Sequence, residues 1–261
     1  MKTYVLIGEK LGHSLSVPIH QAIFRRLGLD ASYRLQEIAA GQFEEVTAQL
    51  LREVDGMNVT IPYKQRILPL LDGLDPLAAQ AGAVNTVVCY AGKLTGYNTD
   101  IFGFETMLRM NRIQAAQESC FILGTGGAAR AVAVALQDMG AQEIVFVSRH
   151  PQPGQIGYNE LRERFHGLLI NCTPVGMYPH AGLCPVPDPV LQDMLPVMSG
   201  CVDLIYNPPE TELTARCRAS GIPVCSGLSM LVAQALEAER LWQNTEIPAE
   251  MIDDILQEMI P

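Results

Sequence analysis

The sequence is short of cations: 18 Lys and Arg stand against 28 Asp and Glu, for a formal net charge of -10. No long basic run relieves that balance, so nucleic acid is not an expected partner, and the acidic surface reads as a solubility feature. No apolar run approaches the roughly 20 residues that cross a bilayer, so no membrane association is expected either. The seven cysteines include no C-x-x-C pair and have no matching histidine cluster, which argues against both a zinc site and a disulfide framework. Several lie in apolar, strand-like runs, where a reduced thiol behaves as a small hydrophobe and fits a reducing cytoplasm. The apolar stretch Tyr4 to Ile7 is too short for the core of a signal peptide and Glu9 follows at once, so export is not expected. Internal repeats and low-complexity segments are also missing.

What is present is a chain of 261 residues, 48% hydrophobic and 18% charged, long enough for one large domain or two modest ones. Near its middle, Cys120 to Leu123 reads as a buried strand, Gly124 breaks it, and Ala128 to Met139 has the composition of a helix. The glycines spell G-x-G-x-x-A. Gly124 permits the tight turn, Gly126 lets a pyrophosphate approach the backbone, and Ala129 keeps helix and strand close. The helix N-terminus then offers unpaired N–H groups to the phosphates. Such a turn is a weak signal alone, because many strand-to-helix turns bind no nucleotide.

The first hundred residues alternate strands with helices, which argues for an α/β domain with a mostly parallel sheet. Tyr4 to Ile7 is the first strand, and Ile19, Ile23 and Leu27 share one helical face before Gly28. Ser16 either caps that helix or, together with Ser14, holds a carboxylate at its positive end. Strand-like Ser32 to Gln36 and a helix over Gln42 to Leu51 follow. Met57 to Val59 is a strand running into an expected helix start at Thr60 to Pro62, which places Lys64 in a first helical turn. There Lys64 is either a proton-transfer group or a solvated surface charge. Gly82 to Tyr90 reads as another strand, and Ala91-Gly92 turns it back toward Leu94 to Asp100. Asp100 either caps the helix that runs to about Met110 or serves as the carboxylate partner of Lys64.

Four successive stretches, His13-Ser-Leu-Ser16, Asn58-Val-Thr-Ile-Pro-Tyr-Lys64, Gly82-Ala-Val-Asn-Thr86 and Asn98-Thr-Asp100, together resemble the motifs of the shikimate dehydrogenase family in their order. The resemblance extends from Gly8 to Trp242. After the strand Ala141 to Val147, Ser148-Arg-His150 offers no acid for a ribose 2'-OH, and Arg149 suits a 2'-phosphate, so NADP is the expected cofactor. The family typically has Asn-Arg-Thr there, from which Ser148 and His150 depart. The segment between His150 and Leu168 is shorter than is usual in the family, so a trimmed cofactor domain is expected. Leu168 to Met177 resembles the family's Asn-x-Thr-Pro-x-Gly-Met motif and puts Asn171 and Thr173 at the carboxyl edge of the sheet. Gly200 to Pro208 is a further strand ending at Tyr206, Thr211 opens a helix, and Ile222 to Cys225 is a last strand. Gly227 to Ala235 matches the family's glycine-to-glutamine motif. Glu239 stands where the family commonly has an aromatic.

The resemblance implies an N-terminal α/β substrate domain plus a Rossmann-like dinucleotide-binding domain, with a cleft between them. The expected division is 1–100, completed by C-terminal helices over 236–261, and 101–235. The implied reaction is reversible reduction of 3-dehydroshikimate to shikimate, a step toward chorismate and the aromatic amino acids. Lys64 and Asp100 would be catalytic; Ser14, Ser16, Thr60, Asn85, Tyr206 and Gln234 would bind substrate. Gly124, Thr125, Gly126, Gly127, Ala128, Ser148, Arg149, Thr173, Leu204 and Gly227 would bind NADP, and no metal is expected. A homodimer is one candidate assembly. Two other readings stay open: an NAD-dependent quinate/shikimate dehydrogenase, and a ligand sensor without catalysis on the same fold.

Overall fold

Strand β1 (Lys2–Gly8) explains the first half of the molecule. Its run Tyr4 to Ile7 is apolar throughout because both faces are covered. Val5 and Ile7 face one cluster with Phe43, Met57, Tyr63 and Val87, while Tyr4 and Leu6 face another with Phe24, Tyr33 and Trp242. The protein is described by a computed structural model that covers residues 1–12 and 14–259; His13, the first residue of the His13 to Ser16 motif, lies outside the described residues.

Around β1 are α1 (Ser16–Leu27), β2 (Ala31–Glu37), α2 (Phe43–Leu50), β3 (Gly56–Val59), β4 (Gly73–Leu74), α3 (Pro76–Ala81), β5 (Thr86–Tyr90), β6 (Lys93–Tyr97) and α4 (Thr99–Met110). The sheet order is β2-β1-β3-β5-β6-β4. Strands β1, β2 and β3 are parallel, β4 is parallel to β6, and β5 alone runs antiparallel to its neighbours β3 and β6, so the sheet is mostly parallel with one reversed strand. The reversal between β5 and β6 is a two-residue hairpin. Ala91 and Gly92 both take positive φ, 49° and 76°, as the right-handed twist of a tight hairpin requires.

The helix expected from Thr60 does not form. Tyr63 N–H bonds the carbonyl of Thr60 as a turn, and the Lys64 carbonyl, which a helix would offer to Leu68, accepts instead from Val84 N–H at 2.8 Å. Pro69 then falls in a short 3-10 turn over Leu68–Leu70. A proline at that point removes a donor that a continuing helix would need.

The second half holds β7 (Ser119–Leu123), α5 (Gly127–Asp138), β8 (Glu143–Val147), β9 (Gln155–Ile156), α6 (Tyr158–Arg164), β10 (Gly167–Asn171), α7 (Asp188–Met194), β11 (Met198–Asp203), α8 (Glu212–Ala219) and β12 (Val224–Ser226), followed by α9 (Leu228–Gln243) and α10 (Met251–Met259). Its six strands are all parallel, in the order β9-β8-β7-β10-β11-β12. That is the doubly wound order with β7 at the point where the winding reverses. Strands β7 and β10 are buried along their whole length, as central parallel strands should be. Residues 148–154 join β8 to β9 without a helix, and β9 has two residues, so this edge is slight.

The chain sorts into two compact units, Met1–Gly103 with Val232–Pro261, and Phe104–Leu231. It passes between them inside α4 and inside α9. Among the described residues no helix is long and apolar enough to cross a membrane.

Candidate active site

In the first unit the segment Ala83 to Thr86, entering β5, gathers the polar residues. Val84 N–H bonds the Lys64 carbonyl, Asn85 N–H bonds the Tyr97 carbonyl, and Val59 N–H bonds the Asn85 carbonyl at 2.8 Å. The first of these bonds fixes the backbone at the Lys64 carbonyl, and the other two fix Asn85 against β3 and β6. The side chain of Asn85, which is buried, spans the start of α4: its Oδ1 accepts from Thr99 N–H at 2.7 Å, and its Nδ2 lies 2.9 Å from both Thr99 Oγ1 and Asp100 Oδ1. Asp100 is therefore the second residue of α4 and not its cap.

The Asp100 carboxylate completes the arrangement. Its Oδ2 is 2.5 Å from Lys64 Nζ, and the two side chains are 12% and 8% exposed. One carboxylate oxygen thus takes the lysine and the other takes the amide. A lysine ammonium has three donors, so pairing with Asp100 leaves donors that can meet a ligand oxygen. Gln234, on α9 in the same unit, brings its Oε1 to 3.3 Å from Asn85 Nδ2 and 3.4 Å from Thr99 Oγ1.

Sequence reasoning missed the layer behind these groups. Asn58 is buried on β3, and its Nδ2 donates to Thr86 Oγ1 at 3.0 Å and to the Asn85 carbonyl at 3.2 Å, while its Oδ1 accepts from Tyr33 Oη at 2.7 Å. The signal for Asn58, Thr86 and Thr99 was their place inside the same short polar motifs. Tyr33 sits on β2, with β1 between it and β3, and nothing in its surroundings along the chain marked it.

Ser14 and Ser16 are also together, with hydroxyl oxygens 3.1 Å apart. The capping role is reversed from the sequence reading. Ser16 is the first residue of α1 and makes no side-chain cap, whereas Ser14 Oγ accepts from Ser16 N–H at 3.2 Å. Thr60 is partly exposed at the end of β3, with its N–H on the Ile7 carbonyl at 2.9 Å.

In the second unit the turn between β7 and α5 has the expected form. Gly124 takes φ 103°, and a Cβ built there would lie 3.2 Å from Thr173 Cγ2. Gly126 precedes the 12-residue helix α5 with open space where a Cβ would be, and Ala129 is fully buried. Thr125 and Gly126 are exposed, Gly127 and Ala128 partly so. Ser148 and Arg149 directly follow β8. Ser148 Oγ accepts from His150 N–H at 3.1 Å, which shapes the loop, and the Arg149 side chain is exposed.

The ends of β10 and β11 are tied into this edge. Asn171 is fully buried, so it supports its neighbours rather than meeting a ligand. Its Oδ1 accepts from Thr173 Oγ1 at 2.7 Å and its Nδ2 donates to Asp203 Oδ1 at 3.0 Å. Asp203 accepts also from Ile205 N–H and Thr211 Oγ1. Burial pushes its carboxyl up to about 6 despite those three hydrogen bonds. Leu204 N–H bonds the Asn171 carbonyl, and Gly227 N–H bonds the Ile205 carbonyl at 3.0 Å. A Cβ at Gly227 would stand 2.0 Å from the Leu204 carbonyl oxygen, so only glycine fits. Tyr206 is partly buried in the loop three residues past β11.

A family model described as the shikimate dehydrogenase substrate binding domain matches residues 6–87. A protein of Clostridium beijerinckii named shikimate dehydrogenase (NADP(+)) is 39% identical over 257 residues, covering 95% of this chain and 94% of that protein. The chain belongs to the shikimate dehydrogenase family. Among solved structures, a chorismate mutase/shikimate 5-dehydrogenase fusion protein from Clostridium acetobutylicum superposes with a TM-score of 0.92 at 38% identity, covering 99% of this chain and 97% of that one. A shikimate 5-dehydrogenase from Thermus thermophilus, in complex with NADP(H) and shikimate, gives 0.86 at 31% identity and 99% coverage of both chains. As in the shikimate dehydrogenases, an N-terminal α/β unit is followed by a Rossmann-like one.

Proposed function

We propose that the protein is an NADP-dependent shikimate dehydrogenase that reversibly reduces 3-dehydroshikimate to shikimate. The observation that carries this reading is the Lys64–Asp100 pair, held by Asn85 beside Gln234 in a unit matched by the substrate-binding family model. The name of the Clostridium beijerinckii relative and the ligands of the Thermus thermophilus structure support the substrate and the cofactor.

The residues present fit a dinucleotide. Gly126 leaves its backbone uncovered at the start of a 12-residue helix, where unpaired N–H groups favour phosphate. No acid follows β8, and the exposed Arg149 matches a 2'-phosphate in charge and planar donors. Thr125 to Ala128 would hold the pyrophosphate, Ser148 and Arg149 the 2'-phosphate, and Thr173, Leu204 and Gly227 the remainder. When bound, the nicotinamide cofactor gives or takes a hydride.

The protein's own task is orientation and the proton. Lys64 Nζ–H donates to the substrate oxygen as it takes on negative charge during reduction, and accepts that proton back during oxidation. Asp100 aims the ammonium through Oδ2. Its Oδ1 is held by Asn85, so the carboxylate cannot rotate away from the lysine. Ser14 and Ser16 bind the substrate carboxylate at the positive end of α1, and Thr60, Asn85 and Gln234 bind its hydroxyls. Several hydrogen bonds to one polyhydroxylated acid give strong discrimination, because an analogue without a hydroxyl leaves a buried polar group unpaired.

A reducing, cytoplasmic setting is part of the same proposal, and it fits cysteines none of which is joined in a disulfide. The test is an assay of purified protein with shikimate or quinate against NADP or NAD. Turnover of shikimate with NADP well above the other three combinations is expected. A preference for NAD with quinate would favour the alternative dehydrogenase, and binding of shikimate with no turnover would favour a sensor.

A further inference from the structure

One turn along α1 from Ser16 lies a buried histidine–carboxylate pair that the reaction does not use. His20 Nδ1 and Glu239 Oε1 are 2.7 Å apart, with side chains 1% and 0% exposed. Glu239 Oε2 accepts from Gln243 Nε2 at 2.9 Å, and that same amide nitrogen is 2.9 Å from Tyr4 Oη. The carboxylate is therefore an acceptor at both oxygens, and the imidazole Nδ1–H is the donor that orients the ring. No hydrogen-bond partner meets His20 Nε2 among the described residues.

A buried carboxylate and imidazole are costly to desolvate, and a hydrophobic pair of the same volume would serve packing as well or better. What the hydrogen-bonded pair adds is a fixed orientation. The His20 ring stacks on Tyr33, with centroids 3.9 Å apart and planes 9° from parallel. Burial, and after it the charge of Glu239, holds the Tyr33 phenol well above its ordinary range, against an opposing hydrogen bond to Ser16. Tyr33 thus remains a donor, and its hydroxyl gives its proton to Asn58 Oδ1. Asn58 in turn holds the Asn85 carbonyl and Thr86.

We propose that His20 and Glu239 are positioning residues, clamping α9, which carries Gln234, to α1, which carries Ser16, and through the stacked Tyr33 setting the Asn58 and Asn85 hydrogen bonds that support Asp100. The clamp rests on the proposed roles of Ser16, Asn85 and Gln234 in substrate binding. It acts on the substrate side alone, since none of its members belongs to the glycine turn or to the residues after β8.

The test uses the full chain with Glu239→Leu, Glu239→Gln and Tyr33→Phe. Steady-state kinetics are read with shikimate and NADP, and amide hydrogen exchange is read over the first turn of α1 and over residues 83–100. In Glu239→Leu the KM for shikimate should rise about tenfold, as expected for loss of oriented polar contacts, while the KM for NADP stays within about twofold. Glu239→Gln, which keeps an acceptor for Nδ1–H, should recover most of that loss. Tyr33→Phe keeps the stack and removes only the hydroxyl, so it should raise the shikimate KM without unfolding the protein. Exchange should quicken over both segments in Glu239→Leu and over residues 83–100 in Tyr33→Phe. Wild-type protein that turns over no shikimate would sink the functional reading, and exchange would then decide the clamp alone. An unchanged shikimate KM in Tyr33→Phe, or unchanged exchange over residues 83–100, overturns the clamp.

Discussion

Asp100 divides its carboxylate between two partners: Oδ2 lies 2.5 Å from Lys64 Nζ and Oδ1 lies 2.9 Å from Asn85 Nδ2. Because Asn85 also takes the first N–H of α4, the orientation of the carboxylate is set by the same side chain that starts the helix carrying it. Asn85→Ala should therefore damage the pair and the fold together. Leaving Thr99 N–H and Thr86 Oγ1 without that acceptor should cost about 1–3 kcal/mol of stability. The turnover number should fall as well. Denaturant unfolding and kinetics on the same preparation check both. A variant with full stability and full turnover would show that Asn85 merely fills space.

Arg149 is expected to carry the choice of cofactor. Loss of a charged hydrogen-bond partner to phosphate is worth about 1.5–3 kcal/mol, so Arg149→Ala should raise the KM for NADP by about 10- to 100-fold. The KM for NAD, which lacks the 2'-phosphate, should hardly move. Because the side chain is exposed, the wild-type preference should shrink as salt is raised. Equal losses with both cofactors would remove Arg149 from 2'-phosphate recognition.

At Gly227 the structure leaves no room for a methyl group beside the Leu204 carbonyl oxygen. Gly227→Ala must shift backbone at the end of β11 or at the start of α9, and overpacking of this kind costs about 1–3 kcal/mol. Thermal unfolding should show the loss, and NADP affinity should weaken with it. An alanine variant as stable as the wild type would mean that the two segments are free to move apart.

Asp203 gives the fold a pH dependence of definite sign. Its carboxyl is raised from 3.8 to about 6 by burial, so in the range between those values the folded state holds a proton that the unfolded state has lost. This contribution is fully present below about pH 4 and disappears as the pH rises through about 6. By linkage its size is about 3 kcal/mol. Relative to Asp203→Asn, the wild type should lose about that much stability between pH 4 and pH 7. Parallel stability curves for the two proteins would contradict the raised carboxyl.

The parts of this fold that local chemistry dictates were legible in the chain. The apolar run at Tyr4 to Ile7, the glycine turn before α5 and the Ala91-Gly92 hairpin each follow from a few neighbouring residues. Distant partners decided the rest. Thr60 to Lys64 looks like a helix start until the Lys64 carbonyl is taken by Val84, and nothing local marks β5 as the one strand that inserts in the opposite sense, between β3 and β6. Gly56 gives no sign that a Cβ there would strike Trp242 Nε1 at 2.3 Å. Likewise, Glu239 stands out along the chain only for replacing the family's aromatic, until His20, 219 residues earlier, is found against it. The motif residues of the site were visible because they cluster in short stretches, whereas Tyr33, His20 and Glu239 reach it only through packing.

The central claim is that Lys64, aimed by Asp100, handles the proton in NADP-linked oxidation of shikimate. Its most direct test is the turnover of Lys64→Ala beside the wild type, with NADP affinity measured on both by titration. Loss of a positioned acid–base group should lower turnover by about 10²- to 10⁴-fold, and NADP affinity should stay within about twofold. Wild-type turnover in Lys64→Ala would contradict the account.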